Sequence, residues 1–114
     1  NYNFMSWTAL TSIDELIALK NSNDTIVLFK HSTRCPVSSM AKRSLEFDFD
    51  QLPATAKIYL LDLIAHRDIS NAIATEWGIQ HESPQVLIIK GDRCLYHASH
   101  QDIDMQALLP YLAD

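Results

Sequence analysis

The sequence predicts an α/β protein: a four-stranded mixed sheet with flanking helices, in the order α-β-α-β-α-β-β-α. Three observations predict it. Residues 25–30, Lys57–Asp62 and Gln85–Lys90 are short runs rich in β-branched and other apolar residues, the pattern of strands covered on both faces. Apolar residues at helical spacing fill the intervals between them. Gly91-Asp92 is a two-residue turn signal, and Arg93–Ser99 follows it as a fourth, antiparallel strand.

The elements follow in order. Ser12-Ile13-Asp14-Glu15 has the form of a capping box, and Ile13, Leu16, Ile17 and Leu19 continue it as a helix over 13–20. The first strand, 25–30, leads into a polar loop, 31–34. Pro36 suits the first position of a second helix, with Val37, Met40, Ala41 and Leu45 on its inner face and fraying near Asp48. After the strand Lys57–Asp62, a third helix over 68–77 carries Ile69, Ala72, Ile73 and Trp77 on one side, and Gly78 stands where a C′ glycine belongs. Asp104 is a credible N-cap for a last helix through Leu112, kinked by Pro110. A parallel strand pair needs a crossover helix, while the Gly91-Asp92 turn makes the last pair antiparallel. Strand–helix–strand followed by helix–hairpin–helix is the layout of the thioredoxin fold.

Composition narrows the function. The 114 residues suit a single domain, 1–114, with 1–6 expected as a loosely ordered lead-in. Nine basic against fourteen acidic residues give a net charge of −5, with no basic run, which argues against nucleic acid as a partner. No apolar stretch approaches the roughly 20 residues that cross a bilayer, so no membrane partner is expected. Two cysteines are too few for a secreted disulfide scaffold, and neither has zinc-site company, which makes the cytoplasm the expected location.

Cys35 carries the chemistry. It stands after a strand and a short loop, immediately before a helix that begins with Pro36. A thiolate there meets the free N–H groups and partial positive charge of a helix N-terminus. Arg34 is adjacent, and Lys30 and His31 end the preceding strand; together these cations are expected to lower the thiol pKa and raise its reactivity. Three residues on stands Ser38, where a C-x-x-C site has its second thiol, so Cys35 works by a monothiol route if it is catalytic. Ser38 either bonds the sulfur or simply sits in the first helical turn. Pro84, in Glu82-Ser83-Pro84-Gln85, is where this layout keeps a cis-proline, which leaves the Ser83 backbone free to pair with a bound thiol substrate.

The second thiol is different. With Gly91-Asp92 as the turn, Lys90 faces Arg93, Ile89 faces Cys94 and Val86 faces His97, which puts Cys94 about 17 Å along the hairpin from Pro84 at strand rise. Cys94 therefore reads as a packed strand residue. His97 and His100 fall near Pro84 and suit a substrate groove or plain exposure better than a metal, for want of further ligands; no bound metal or cofactor is expected. His66 and His81 carry no signal.

The segment from Phe29 to Ser38, with Glu82-Ser83-Pro84-Gln85-Val86 and His97-Ala98-Ser99-His100, resembles the monothiol bacilliredoxin family, thioredoxin-fold general-stress proteins with a Thr-x-Cys-Pro-x-Ser type motif. The resemblance runs from about Trp7 to the last helix. It implies removal of bacillithiol from mixed disulfides on oxidised proteins, with Cys35 as the attacking thiol, Pro84 as the cis-proline, and Thr33, Arg34, Pro36 and Ser38 shaping the site. The partners it implies are S-thiolated client proteins and a low-molecular-weight thiol as co-substrate, bacillithiol or similar. Two other readings stand beside this one: a redox-sensing or binding module without turnover, and an iron–sulfur carrier. The last is disfavoured because Pro36-Val37 replaces the Gly-Phe of the Cys-Gly-Phe-Ser motif.

Overall fold

The computed structural model describes residues 5–113. Its elements are β1 (Thr8–Ala9), α1 (Ile13–Asn21), β2 (Thr25–His31), α2 (Pro36–Phe47), β3 (Lys57–Asp62), α3 (Arg67–Trp77), β4 (Gln85–Lys90), β5 (Arg93–Ser99) and α4 (Met105–Leu112). Short 3₁₀ turns at Phe49–Gln51 and His100–Asp102 follow α2 and β5. The sheet has five strands in the order β1-β3-β2-β4-β5, one more than expected. The addition is β1, whose Thr8 and Ala9 pair in parallel with Tyr59 and Leu60. Two exposed residues carry no hydrophobic alternation, so nothing in the sequence announced a strand there. The expected loose lead-in shrinks as well, since Met5 packs against the core; residues 1–4 lie outside the described residues.

β2 is central, parallel to β3 and antiparallel to β4, and every residue from Ile26 to His31 is buried. Strand alternation splits its side chains between two cores. Val27 and Phe29 pack with Leu45 of α2 and Leu108 of α4, while Ile26 and Leu28 pack with Leu16 of α1 and Ile73 and Trp77 of α3. At about 1.5–3 kcal/mol for each large aliphatic or aromatic side chain removed from water, these two layers fix where β2 ends. It is from that end that the Cys35 loop departs.

Local signals explain the helix boundaries. Ser12 Oγ accepts from Glu15 N–H at 3.1 Å, while Glu15 reaches back to accept from Thr11 N–H at 3.0 Å. Gly78 ends α3 at φ 65°, a left-handed conformation that a side chain would strain, and its N–H returns to the Ala74 carbonyl. Asp104 caps α4 through Gln106 N–H, and Pro110 lies within that helix. Among the described residues, no helix is long and apolar enough to cross a membrane.

Two readings need correction. α2 buries Ser38, Ala41 and Leu45, whereas Val37 and Met40 face outward, so its inner face is turned from the one expected. In the β4–β5 hairpin, Lys90 faces Arg93 and Ile89 faces Cys94 as expected, but a bulge follows. His97 therefore pairs with Leu87, and Ala98 takes the place opposite Val86. One inserted residue in β5 shifts the register beyond it.

Candidate active site

β2 and β4 bring the two halves of the site to one end of the sheet. Lys30 is the register partner of Gln85, so Ser83 and Pro84 lie where β2 runs into the Cys35 loop. The Ser83–Pro84 peptide bond is cis, as expected. Ser83 stands beyond the last β4–β5 pair, Gln85–Ser99, while the Pro84 carbonyl accepts from His100 N–H at 3.0 Å. His100 itself has φ 56° and closes this end of the hairpin, with its Nε2 3.6 Å from Glu82.

Cys35 is the N-cap residue of α2 and is half-buried. Its N–H donates to the Ser32 carbonyl at 3.2 Å and its carbonyl accepts from Ser39 N–H at 3.0 Å, which closes the loop and starts the helix. Pro36 occupies the first helical position, where its missing N–H costs nothing. The thiol caps nothing, and the next amides, of Val37 and Ser38, fall in the first turn, where N–H groups lack intrahelical partners. Thr33 and Arg34 are exposed beside it, and among the described residues Arg34 forms no ion pair.

Ser38 is fully buried and its hydroxyl serves the loop rather than the sulfur. Ser38 Oγ accepts from Ser32 N–H at 3.0 Å and lies 2.7 Å from His31 Nδ1. Ser38 thus sits in the first turn of α2, one of its two expected roles, and there its hydroxyl ties β2, the loop and α2 together. His31 continues an aromatic stack, Trp7 on Phe29 at 5.6 Å and Phe29 on His31 at 5.9 Å. Burial, aided by the nearby Lys42 cation, pushes the His31 pKa below its usual value against the opposing pull of Asp62 and Glu46. Both effects favour the neutral imidazole, so His31 supplies less positive charge to the thiol than the sequence led one to expect.

Lys30 also departs from that expectation. Its side chain leaves the other face of β2, and its ammonium donates to the Ser70 carbonyl of α3 at 3.3 Å, with His81 Nδ1 also 3.3 Å away. Lys30 is 0% exposed and burial lowers its pKa to about 8. The same buried layer holds Ser70 and Gln85, and among the described residues Gln85 Oε1 has no hydrogen-bond partner. His81 completes the group, its own pKa lowered by burial first and then by the Lys30 and Arg67 charges. No pattern around His81 pointed to this role; the available signal was a lysine inside an otherwise apolar strand. Of the three expected cations, Arg34 alone stands free beside Cys35.

Cys94 is elsewhere, in a setting that disfavours its thiolate. Its thiol donates to the Tyr96 carbonyl at 3.4 Å, and burial raises its pKa, a shift the Tyr96 hydrogen bond only partly offsets. It packs against the α1–α3 core opposite Ile89, near the turn end of the hairpin. His97 is exposed, and no group of three or more His, Cys, Asp or Glu among the described residues could hold a metal ion.

A cysteine heading the helix after the central strand, with a cis-proline entering the neighbouring strand, defines a thioredoxin-fold thiol protein. The chain belongs to the monothiol bacilliredoxin family BrxC, which matches it over residues 8–108. Solved structures agree on the fold. A protein described as having a thioredoxin fold is 29% identical over 88% of both chains, with a TM-score of 0.76. Thioredoxin from Malassezia sympodialis is 18% identical, covering 94% of this chain and 90% of its own, with a TM-score of 0.74. Mitochondrial thioredoxin 3 from Saccharomyces cerevisiae is 19% identical over 93% and 92%, with a TM-score of 0.71.

Proposed function

We propose that this protein is a cytoplasmic monothiol oxidoreductase that removes a low-molecular-weight thiol, bacillithiol by family, from mixed disulfides on client proteins. The observation that carries the reading is the pairing of an uncapped thiol at the start of α2 with a serine, turned toward His31, at the position a second thiol would need. The Cys35 thiolate attacks the small-thiol sulfur of the mixed disulfide. The sulfur–sulfur bond to the client breaks, the client cysteine leaves as a thiolate and takes a proton, and Cys35 keeps the small thiol as a new mixed disulfide. A second molecule of small thiol, as thiolate, then attacks that adduct, leaving as a symmetrical disulfide and returning Cys35 to its reduced form. Each step exchanges one disulfide for another, so electrons balance without a bound cofactor.

The remaining site residues have supporting roles. Arg34 presents a free cation to the thiolate and to an anionic substrate. Pro36 starts the helix, and Ser38 holds the loop through Ser32. Thr33 lines the exposed approach, and Ser83 beside Pro84 offers its backbone to an extended substrate as an added strand. The test is mass spectrometry of Cys35 after incubation with one model protein carrying bacillithiol, glutathione or cysteine as a mixed disulfide. The expected result is fastest transfer of bacillithiol, many equivalents being cycled when free thiol is present. Modification of Cys35 without turnover would instead mark a sensor.

A further inference from the structure

The outward face of α2 is unusual for an acidic protein. Four of the nine basic residues, Lys30, Arg34, Lys42 and Arg43, fall within residues 30–43, and no acidic residue lies between Asp24 and Glu46. Lys30 is buried on the far side and Lys42 is paired with Glu46, which leaves Arg34 and Arg43 exposed and, among the described residues, without ion pairs. Apolar side chains stand between them, Val37 and Met40, and one more, Phe47, lies a turn beyond Arg43. Val37 is 38% exposed, Met40 64% and Phe47 86%, and Met40, Arg43 and Phe47 recur at the i, i+3, i+7 spacing of one helix face. Val37 and Met40 line one side of an open groove of about 230 Å³ whose lining also includes His100 and Ile103.

We propose that this face is a docking surface for the client protein, and that it selects modified cysteines flanked by acidic and apolar residues. The inference rests on the reading of Cys35 as the thiol that attacks protein mixed disulfides. The groove starts two residues past Cys35 and has room for an apolar side chain up to aromatic size; Met40, unbranched and flexible, adapts to different ones. Arg34 and Arg43 flank the apolar positions as a positive frame, so an acidic surface is attracted and a basic one repelled. A single helix-sized apolar patch with a charged frame suits a brief encounter rather than a permanent complex.

The experiment uses two synthetic peptides, each with one cysteine in a mixed disulfide with bacillithiol: one flanked by leucine and aspartate, the other by serine and lysine. Transfer to Cys35 is timed for the wild type, Arg43→Glu and Met40→Gln, and each protein is scored by the ratio of its two rates. The wild type is expected to prefer the acidic-apolar peptide by about three- to ten-fold, a preference that shrinks in 1 M salt as the screening length shortens. Arg43→Glu should reduce or invert the ratio, and Met40→Gln should reduce it with less salt dependence. Equal rates for both peptides, with Cys35 still accepting the thiol, overturn the docking proposal and leave the proposed function standing. No transfer from either peptide overturns both. A wild type that sediments as a dimer, which Arg43→Glu dissociates, shows that the face is covered by a second copy and overturns the proposal too.

Discussion

His31 Nδ1 and Ser38 Oγ lie 2.7 Å apart, both buried, directly behind the loop that presents Cys35. The residue in place of a resolving cysteine is thus committed to holding the backbone, because the same hydroxyl receives Ser32 N–H. Replacing Ser38 with Ala would leave the Ser32 amide and a His31 nitrogen unpaired where water is scarce. The expected cost is about 1–3 kcal/mol of stability, read by urea unfolding. A change of under about 0.5 kcal/mol would mean that the tie is unimportant.

The Lys30 ammonium is buried and, among the described residues, has no carboxylate partner, so its charge opposes folding. Its folded pKa, about 8, lies below the ordinary lysine value of about 10.4. Between those two values the unfolded chain holds a proton that the folded one has released, so stability rises with pH there; below about 8 both states are charged and the full cost is present. Lys30→Met is expected to raise stability near neutral pH by about 1–2 kcal/mol, because relief of the buried charge outweighs the hydrogen bonds to Ser70 and His81. Urea titrations from pH 7 to 10 check this: wild-type stability should climb more steeply above pH 8 than that of the variant. Parallel curves would contradict it.

Much of this was readable in the sequence, and the misses have physical causes. The capping box at Ser12, Gly78, the Gly91-Asp92 turn and the three apolar runs each act locally, so local pattern sufficed to place their elements. The Cys35 and Pro84 positions followed from the order of those elements. β1 escaped because it is defined by its partner β3 and not by its own residues. The α2 face was misread because Val37 and Met40 are apolar yet outward, while the buried position is Ser38, whose polarity is satisfied only by the distant backbone of Ser32 and by His31. The directions of Lys30 and His31 depend on which face of β2 each occupies, and adjacent residues in a strand point oppositely.

The two cysteines should differ sharply in reactivity. Cys35 heads a helix beside Arg34, whereas burial holds the Cys94 thiol protonated near neutral pH, an effect the Tyr96 hydrogen bond offsets only in part. Iodoacetamide at pH 7 should modify Cys94→Ser, which keeps Cys35, at least about ten-fold faster than Cys35→Ser. Arg34→Glu should slow the Cys35 reaction several-fold by exchanging attraction for repulsion. A faster Cys94 would move the site to the other cysteine.

The central claim is that Cys35 has no internal partner, and intact-mass analysis after one equivalent of oxidised small thiol tests it most directly. The account predicts that the wild type accumulates as a mixed disulfide at Cys35, released at a rate proportional to added thiol and unchanged in Cys94→Ser. Ser38→Cys should instead lose the adduct to an internal disulfide with Cys35, since the first helical turn brings these positions close. A wild-type monomer lighter by two hydrogens, with Cys35 joined to Cys94, would contradict the monothiol mechanism.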